Sequence, residues 1–185
     1  MILKILGGFV LLLVVLGGVV HFQPNTYSVQ RSATFAVAPA VVFGQVNDLA
    51  AWDGWSPWKK LDPNATMTLS KPSAGVDASL GWSGNDEVGE GKMTILASKP
   101  GELVELDQVF IRPFAGAARI TFTFAPEGEG SKVTWKMAGE NNFIGKAFSM
   151  VMNMDAMLGK DFEQGLANIK SVVEPGAARA TTPAR

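Results

Sequence analysis

Residues 65–139 run through six short segments of strand character with only turn residues between them, and a long amphipathic helical pattern follows. The segments are residues 65–70, 78–82, 89–97, 102–111, 117–126 and 132–139. Between them stand Pro72-Ser73-Ala74-Gly75, Gly84-Asn85-Asp86, Lys99-Pro100-Gly101, Arg112-Pro113 and Glu127-Gly128-Glu129-Gly130. Each is turn chemistry, because glycine supplies positive φ and proline presets φ. Such a succession predicts an antiparallel meander. Alternation gives the sheet one dry face. Ile120, Phe122 and Phe124 alternate with Arg119, Thr121 and Thr123, and Val133, Trp135 and Met137 with Lys132, Thr134 and Lys136. A sheet of this kind needs a cover on one side only. The cover is the stripe Ile144, Phe148, Val151, Leu158, Phe162, Leu166, Ile169 and Val173, at helical spacing. It is expected as two helical pieces broken near residues 154–159, with Gly159, Asp161 and Glu163 reading as a fresh helix start.

Upstream, residues 27–35 alternate as a strand through Tyr27, Val29 and Phe35. Pro39 then opens a helical pattern through Val42, Phe43 and Val46 that fades at Asn47-Asp48. A short helix or turn over residues 49–53 and a connection rich in tryptophan and proline complete this part. The predicted class is α+β, a helix-grip fold: about seven antiparallel strands curve around a long C-terminal helix and leave a cavity between them.

Particular residues carry a family likeness across residues 27–173. They are the helix from Pro39 to Val46, Trp52-x-x-Trp55-Ser56-Pro57-Trp58 with Leu61-Asp62-Pro63, and Gly89-x-Gly91-x-Met93-x-Ile95. Further on come Asn141-Asn142-Phe143, Asn153-Met154-Asp155 and Gly159-Lys160-Asp161-Phe162-Glu163-x-Gly165-Leu166. In these the chain resembles the polyketide cyclase/dehydrase-like branch of the START-like (SRPBCC) superfamily. The resemblance implies the helix-grip fold and a ligand cavity. It does not establish cyclase activity, since no motif in it is diagnostic of a reaction.

The N-terminus has its own logic. Residues 5–20 carry twelve Ile, Leu, Val or Phe residues, four glycines and no polar side chain. Twelve such residues favour bilayer insertion by roughly 4–7 kcal/mol before the glycines subtract. Extended to Phe22, the run is long enough to span a thin bilayer as a helix. A cleaved signal peptide is the alternative, but His21-Phe22-Gln23-Pro24-Asn25 is a poor cleavage context. The expected organisation is an uncleaved transmembrane anchor at 1–23, a START-like domain at 24–174 and a disordered, polar, alanine-rich tail at 175–185. Lys4 precedes the run and the next basic residue is Arg31. The positive-inside rule then predicts a single-pass protein of the cell membrane with its domain on the periplasmic side. Gly7-Gly8 and Gly17-Gly18 are read as lipid-facing small residues.

Composition removes several chemistries. There is no cysteine, and the one histidine, His21, ends the apolar run. Thiolate nucleophiles, a Ser–His–Asp triad and histidine-rich metal sites are therefore not available to the domain. Sixteen basic against seventeen acidic residues leave no surplus to neutralise phosphates, so nucleic acid is not an expected partner. No cofactor or metal is expected. The candidate cavity residues are Trp82, Met93, Phe110, Phe122, Trp135 and Met137 on the sheet, with Phe148, Met154 and Asp155 opposite. Met150, Met152 and Met157 add adaptable apolar surface to the same helical region. Trp52, Trp55 and Trp58 read as a loop pinned into the core, as a cavity rim, or as a belt in contact with the membrane. Asp155 is read as a helix cap, the alternative being a cavity-facing carboxylate of raised pKa. Glu90, Glu105 and Asp107 read as solvated sheet faces, and Gly89-Glu90-Gly91-Lys92 lacks the spacing of a phosphate loop. The expected function is binding or carriage of a lipid or other hydrophobic small molecule. The alternatives are a cyclase- or dehydratase-type enzyme in the same cavity, and a co-chaperone-like protein-interaction module.

Overall fold

Seven strands form one sheet in the order β1-β7-β6-β5-β4-β3-β2. They are β1 (Thr26–Phe35), β2 (Thr66–Leu69), β3 (Ser79–Ser83), β4 (Glu90–Lys99), β5 (Leu103–Arg112), β6 (Gly116–Glu127) and β7 (Gly130–Glu140). The computed structural model describes residues 2–141, 143–151 and 153–175, without side chains at 2–5, 9, 10, 12, 13, 148 and 151. Of the tail expected at 175–185, only Pro175 falls within these residues. Every neighbouring pair of strands is antiparallel. The meander expected from the turn residues is therefore present as β2 to β7, and β1 closes on β7 as the far edge. Two register shifts in β4, at Glu90/Gly91 and Ile95/Ala97, increase the local twist and bend the sheet.

Register puts the apolar residues of successive strands in rows. Val104, Phe122 and Trp135 form one row, and Leu106, Ile120, Met137 and Val29 the next. Against these rows lie α2 (Pro39–Asn47), through Val42 and Val46, and α4 (Met154–Val173), through Phe162, Leu166 and Ile169. Pro39 sits in the first turn of α2, where its missing N–H leaves nothing unpaired. Two 3₁₀ turns, Ala51–Gly54 and Pro57–Lys60, carry the tryptophans across the open side of this core.

The C-terminal helical region differs from expectation in where it breaks. The stop lies between α3 (Phe143–Val151) and α4, and Asn153 starts the second helix, its side chain accepting the Ala156 N–H at 3.0 Å. Gly159, Asp161 and Glu163 are interior to α4. Gly159 answers a packing demand: a Cβ there would stand 1.9 Å from the Arg31 guanidinium. Nor does the stripe reach the sheet along its whole length. Phe162, Leu166 and Ile169 are buried and Leu158 and Val173 half-buried, but Ile144 is 51% exposed. The reason is that α3 packs against the end of α1 (Ile2–His21). There Lys146 Nζ donates to the His21 carbonyl at 3.1 Å. The apolar run is thus helical. Among the described residues, however, no helix is long and apolar enough to cross a membrane, so the expected transmembrane helix is not counted as part of the fold.

Candidate functional site

A cavity of about 220 Å³ lies between the concave face of the sheet, the start of α4 and the two 3₁₀ turns. Apolar sites of about 150 Å³ already accept a benzene ring, so the space suits a small ring system or a short chain. Strand alternation aims its walls inward: Leu80 and Trp82 from β3, Met93 from β4, Phe110 from β5, Ile120 from β6. Trp135 and Met137 from β7 and Leu158 and Phe162 from α4 close the far side.

One wall depends on a glycine. Trp82 lies opposite Gly91 in the β3–β4 pairing. A Cβ at Gly91 would meet the Trp82 ring at 2.4 Å and the Val109 carbonyl oxygen at 2.5 Å. The bare backbone lets the indole lie across β4, where Nε1 donates to the Val88 carbonyl at 3.1 Å and the ring meets Phe110 edge-on, centroids 6.2 Å apart.

The opposite end is a cluster of aromatics centred on Trp135. Its ring stacks on Phe162 at 4.2 Å and 8° and leans on Phe122 at 4.8 Å. Trp52, Trp55 and Trp58 each meet it edge-on, at 6.4, 5.8 and 5.9 Å. Helix α4 comes this near because residue 165 is glycine; a Cβ there would lie 2.6 Å from the Trp135 ring. Trp52 and Trp55 donate their indole N–H groups to the carbonyls of Val46 and Gln45 at 2.9 and 3.0 Å. Trp135 Nε1 is buried without a hydrogen-bond partner among the described residues.

Polar groups gather at the mouth. Asp53 and Lys59 form an ion pair, and Ser56, Asp62 and Glu87 stand beside them. Asp62 is occupied by the backbone N–H groups of Asn64 and Asn85, at 3.0 and 2.8 Å. Deeper in, Gln108 is the one uncharged polar side chain on the sheet wall. Asp161, near Trp58, has its carboxyl pushed above the ordinary value by burial, with the Trp58 hydrogen bond acting the other way.

The structure sorts the residues singled out by sequence. Trp82, Met93, Phe110, Trp135 and Met137 line the cavity, as do Trp52 and Trp58. Phe122 does not; it is fully buried behind Trp135, in the core. Trp55 is 1% exposed and Trp52 2%, so neither is placed to touch a bilayer. Met154 is half-buried away from the lining, and Met150 and Met157 are exposed. The side chain of Phe148 and residue Met152 lie outside what is described.

Asp155 neither caps α4 nor faces the cavity. Asn153 holds the cap, and Asp155, one residue into the helix, takes a bidentate pair from Arg31 with both distances 2.9 Å. Arg31 also donates to Glu163 at 2.7 Å and to the Asp155 carbonyl at 3.0 Å, so one β1 side chain fastens two turns of α4. The Arg31 guanidinium holds the Asp155 carboxyl below its ordinary range and is itself pushed up by the two carboxylates. Glu90 pairs with Arg112 at 2.9 Å, and Glu105 and Asp107 with Arg119 at 2.6 and 3.7 Å, on the solvated face. Sequence reading passed over Gln108 and Arg31. Gln108 was visible, because Val104, Leu106, Gln108 and Phe110 share a period-two face. Arg31 was not, since its partners lie 124 and 132 residues away. Among the described residues no group of three or more His, Cys, Asp or Glu side chains is placed to hold a metal ion.

Solved structures share this architecture at low identity. A Chromobacterium violaceum protein aligns over 82% of this chain and 99% of its own, with 19% identity and a TM-score of 0.57. The Aha1 dimer from Colwellia psychrerythraea aligns over 81% and 98%, with 13% identity and a TM-score of 0.58. The di-domain ARO/CYC StfQ from the steffimycin biosynthetic pathway aligns over 83% of this chain and 52% of its own, with 10% identity and a TM-score of 0.59. These likenesses are of fold. No curated protein matches the sequence. A family model does, over residues 26–174, from the first residue of β1 to one residue past α4: the chain belongs to the family of polyketide cyclases / dehydrases and lipid transport proteins.

Proposed function

We propose that the domain binds or carries a lipid or another hydrophobic small molecule in this cavity, and that α1 tethers it to a membrane. The observation that carries the binding reading is the lining itself. Trp82 and Phe110 at one end, Trp135 and Phe162 at the other, and Met93 and Met137 between them make an apolar enclosure around unfilled space. A concave, mostly apolar pocket with a small number of placed polar groups is how proteins hold small hydrophobic ligands. Catalysis is the weaker reading, because the carboxylates nearest the space stand at its mouth, and Asp53 and Asp62 already have partners there. The test is titration of the chain with an apolar fluorescent probe. Saturable binding with one site per chain is expected, and non-saturating partition would reject the reading.

Tethering is supported by the run itself. Residues 5–20 have no polar side chain and lie within one helix, and Leu11 and Val14 are each 65% exposed. Lys4 ahead of the run favours a cytoplasmic N-terminus and a periplasmic domain. The full chain should sediment with membranes and resist carbonate extraction, and a mature N-terminus mapped after residue 20 would remove the anchor. A C-terminal reporter active only outside the cytoplasm should be active.

A further inference from the structure

Resting on the binding reading above, we infer that the ligand is electrically neutral and carries a hydrogen-bonding group, a hydroxyl or a carbonyl, that pairs with the Gln108 side-chain amide. Gln108 stands on the concave face of β5 between Leu106 and Phe110 along the strand, opposite Met93 on β4 and Ala118 on β6. Met93 is 8% exposed and Ala118 4%. Gln108 is half-buried, lines the cavity, and its amide has no hydrogen-bond partner among the described residues. While the cavity is open, water satisfies that amide. A ligand seated against this wall strips the water away, and a purely apolar ligand would leave the amide unpaired. Burying a polar group without a partner is unfavourable, so the wall discriminates for a ligand that offers a donor or an acceptor there. An amide does both, which admits hydroxyl and carbonyl groups alike.

The mouth sets the charge. Three carboxylates line it, Asp53, Asp62 and Glu87, against one ammonium, Lys59, which already pairs with Asp53. An anion passing this rim meets like charge and finds no unpaired cation in the lining. The ligand class is therefore a neutral molecule with an apolar body of one or two rings or a short chain, and fatty acids and other carboxylates are disfavoured.

The test uses three probes of one shape on the full chain in a fixed concentration of non-ionic detergent: 1-naphthol, 1-methylnaphthalene and 1-naphthoate at neutral pH. Each is titrated calorimetrically, with its partition into protein-free micelles subtracted. 1-Naphthol is expected to bind roughly tenfold tighter than 1-methylnaphthalene, and 1-naphthoate most weakly. Gln108→Leu should equalise the two neutral probes while its thermal midpoint stays at or above that of the parent chain. Gln108→Met serves as the second variant should the branched side chain not fold. Equal binding of the two neutral probes by the parent chain, or an unchanged preference in both variants, would overturn the role of Gln108 and leave the cavity reading standing. Naphthoate binding as tightly as naphthol would overturn the charge selection. Failure of all three probes to bind would remove the cavity reading, and this inference with it.

Discussion

Replacing Trp135 by alanine separates packing from ligand contact when it is set beside the same change at Phe110. Trp135 is 0% exposed, stacked on Phe162 and backed by Phe122, with three further tryptophans at its edges. Truncating a fully packed tryptophan costs about 3–5 kcal/mol. That range already contains the loss of aromatic pairs, each worth about 0.5–1.5 kcal/mol beyond area, and a ring with this many aromatic neighbours belongs in its upper part. Against a typical domain stability of about 5–15 kcal/mol, that loss moves a urea midpoint far but leaves it measurable. Phe110 is half-buried and faces unfilled space on one side. Fewer of its contacts are lost on truncation, and about 1–2 kcal/mol is expected, below the range for a tightly packed phenylalanine. Affinity for an apolar probe should fall in both variants. The assay is paired urea denaturation and probe titration. A Phe110→Ala loss as large as that of Trp135→Ala, with probe affinity unchanged, would show that Phe110 is ordinary core and refute the assignment of this wall.

Gly91→Ala places a Cβ within 2.5 Å of both the Trp82 ring and the Val109 carbonyl. The indole must move, so a thermal-melt loss equivalent to about 1–3 kcal/mol and weaker probe binding are expected together. Asn153→Ala should cost about 0.5–2 kcal/mol through the lost cap, whereas Asp155→Ala leaves that cap in place and acts through Arg31, so double-mutant cycles with Arg31→Ala should show coupling to Asp155 and none to Asn153. The pH response has a definite sign. The folded-state pKa of Asp155 lies below its ordinary 3.8, so the stability it brings is complete above that value and is lost as pH falls through the lower, folded value. Asp155→Asn should therefore flatten the acid limb of the melting profile. Asp161 works in the opposite direction, its folded pKa being raised, so its ionisation disfavours the folded state at neutral pH; Asp161→Asn should melt higher than the parent chain at pH 7 and alike at pH 3.

The sheet was readable because its information is local. Period-two alternation and turn residues place the ends of β2 to β7 within one or two residues of where they are, and a meander pairs each strand with the next in sequence. The cavity-facing set on β3, β4, β5 and β7 follows from the same alternation. Phe122 failed by that rule because it shares a face with cavity residues yet lies beside Trp135 in a row covered by Trp52 and Trp55. A face assignment does not say which part of the face a helix fills. The tryptophan loop was ambiguous for a related reason. Three-residue spacing on two separate 3₁₀ turns does not tell that Trp55 points to the core while Trp58 lines the space. The break in the C-terminal helix was misplaced because Gly159 with nearby carboxylates looks like a helix start. Its glycine is required by a side chain from β1, and only the tertiary structure brings Arg31 there.

The central claim is that the cavity is occupied in life by a hydrophobic molecule. The direct measurement is mass spectrometry of an organic extract from the purified full chain, run beside a Leu80→Trp variant that fills the space with a larger side chain at a lining position. Both proteins should be shown folded by thermal melts, and both keep α1, so any lipid that adheres to α1 is common to the two extracts. The account predicts an apolar, neutral compound at near one per chain in the parent extract and strongly depleted in the variant. Identical extracts from the two folded proteins would contradict it.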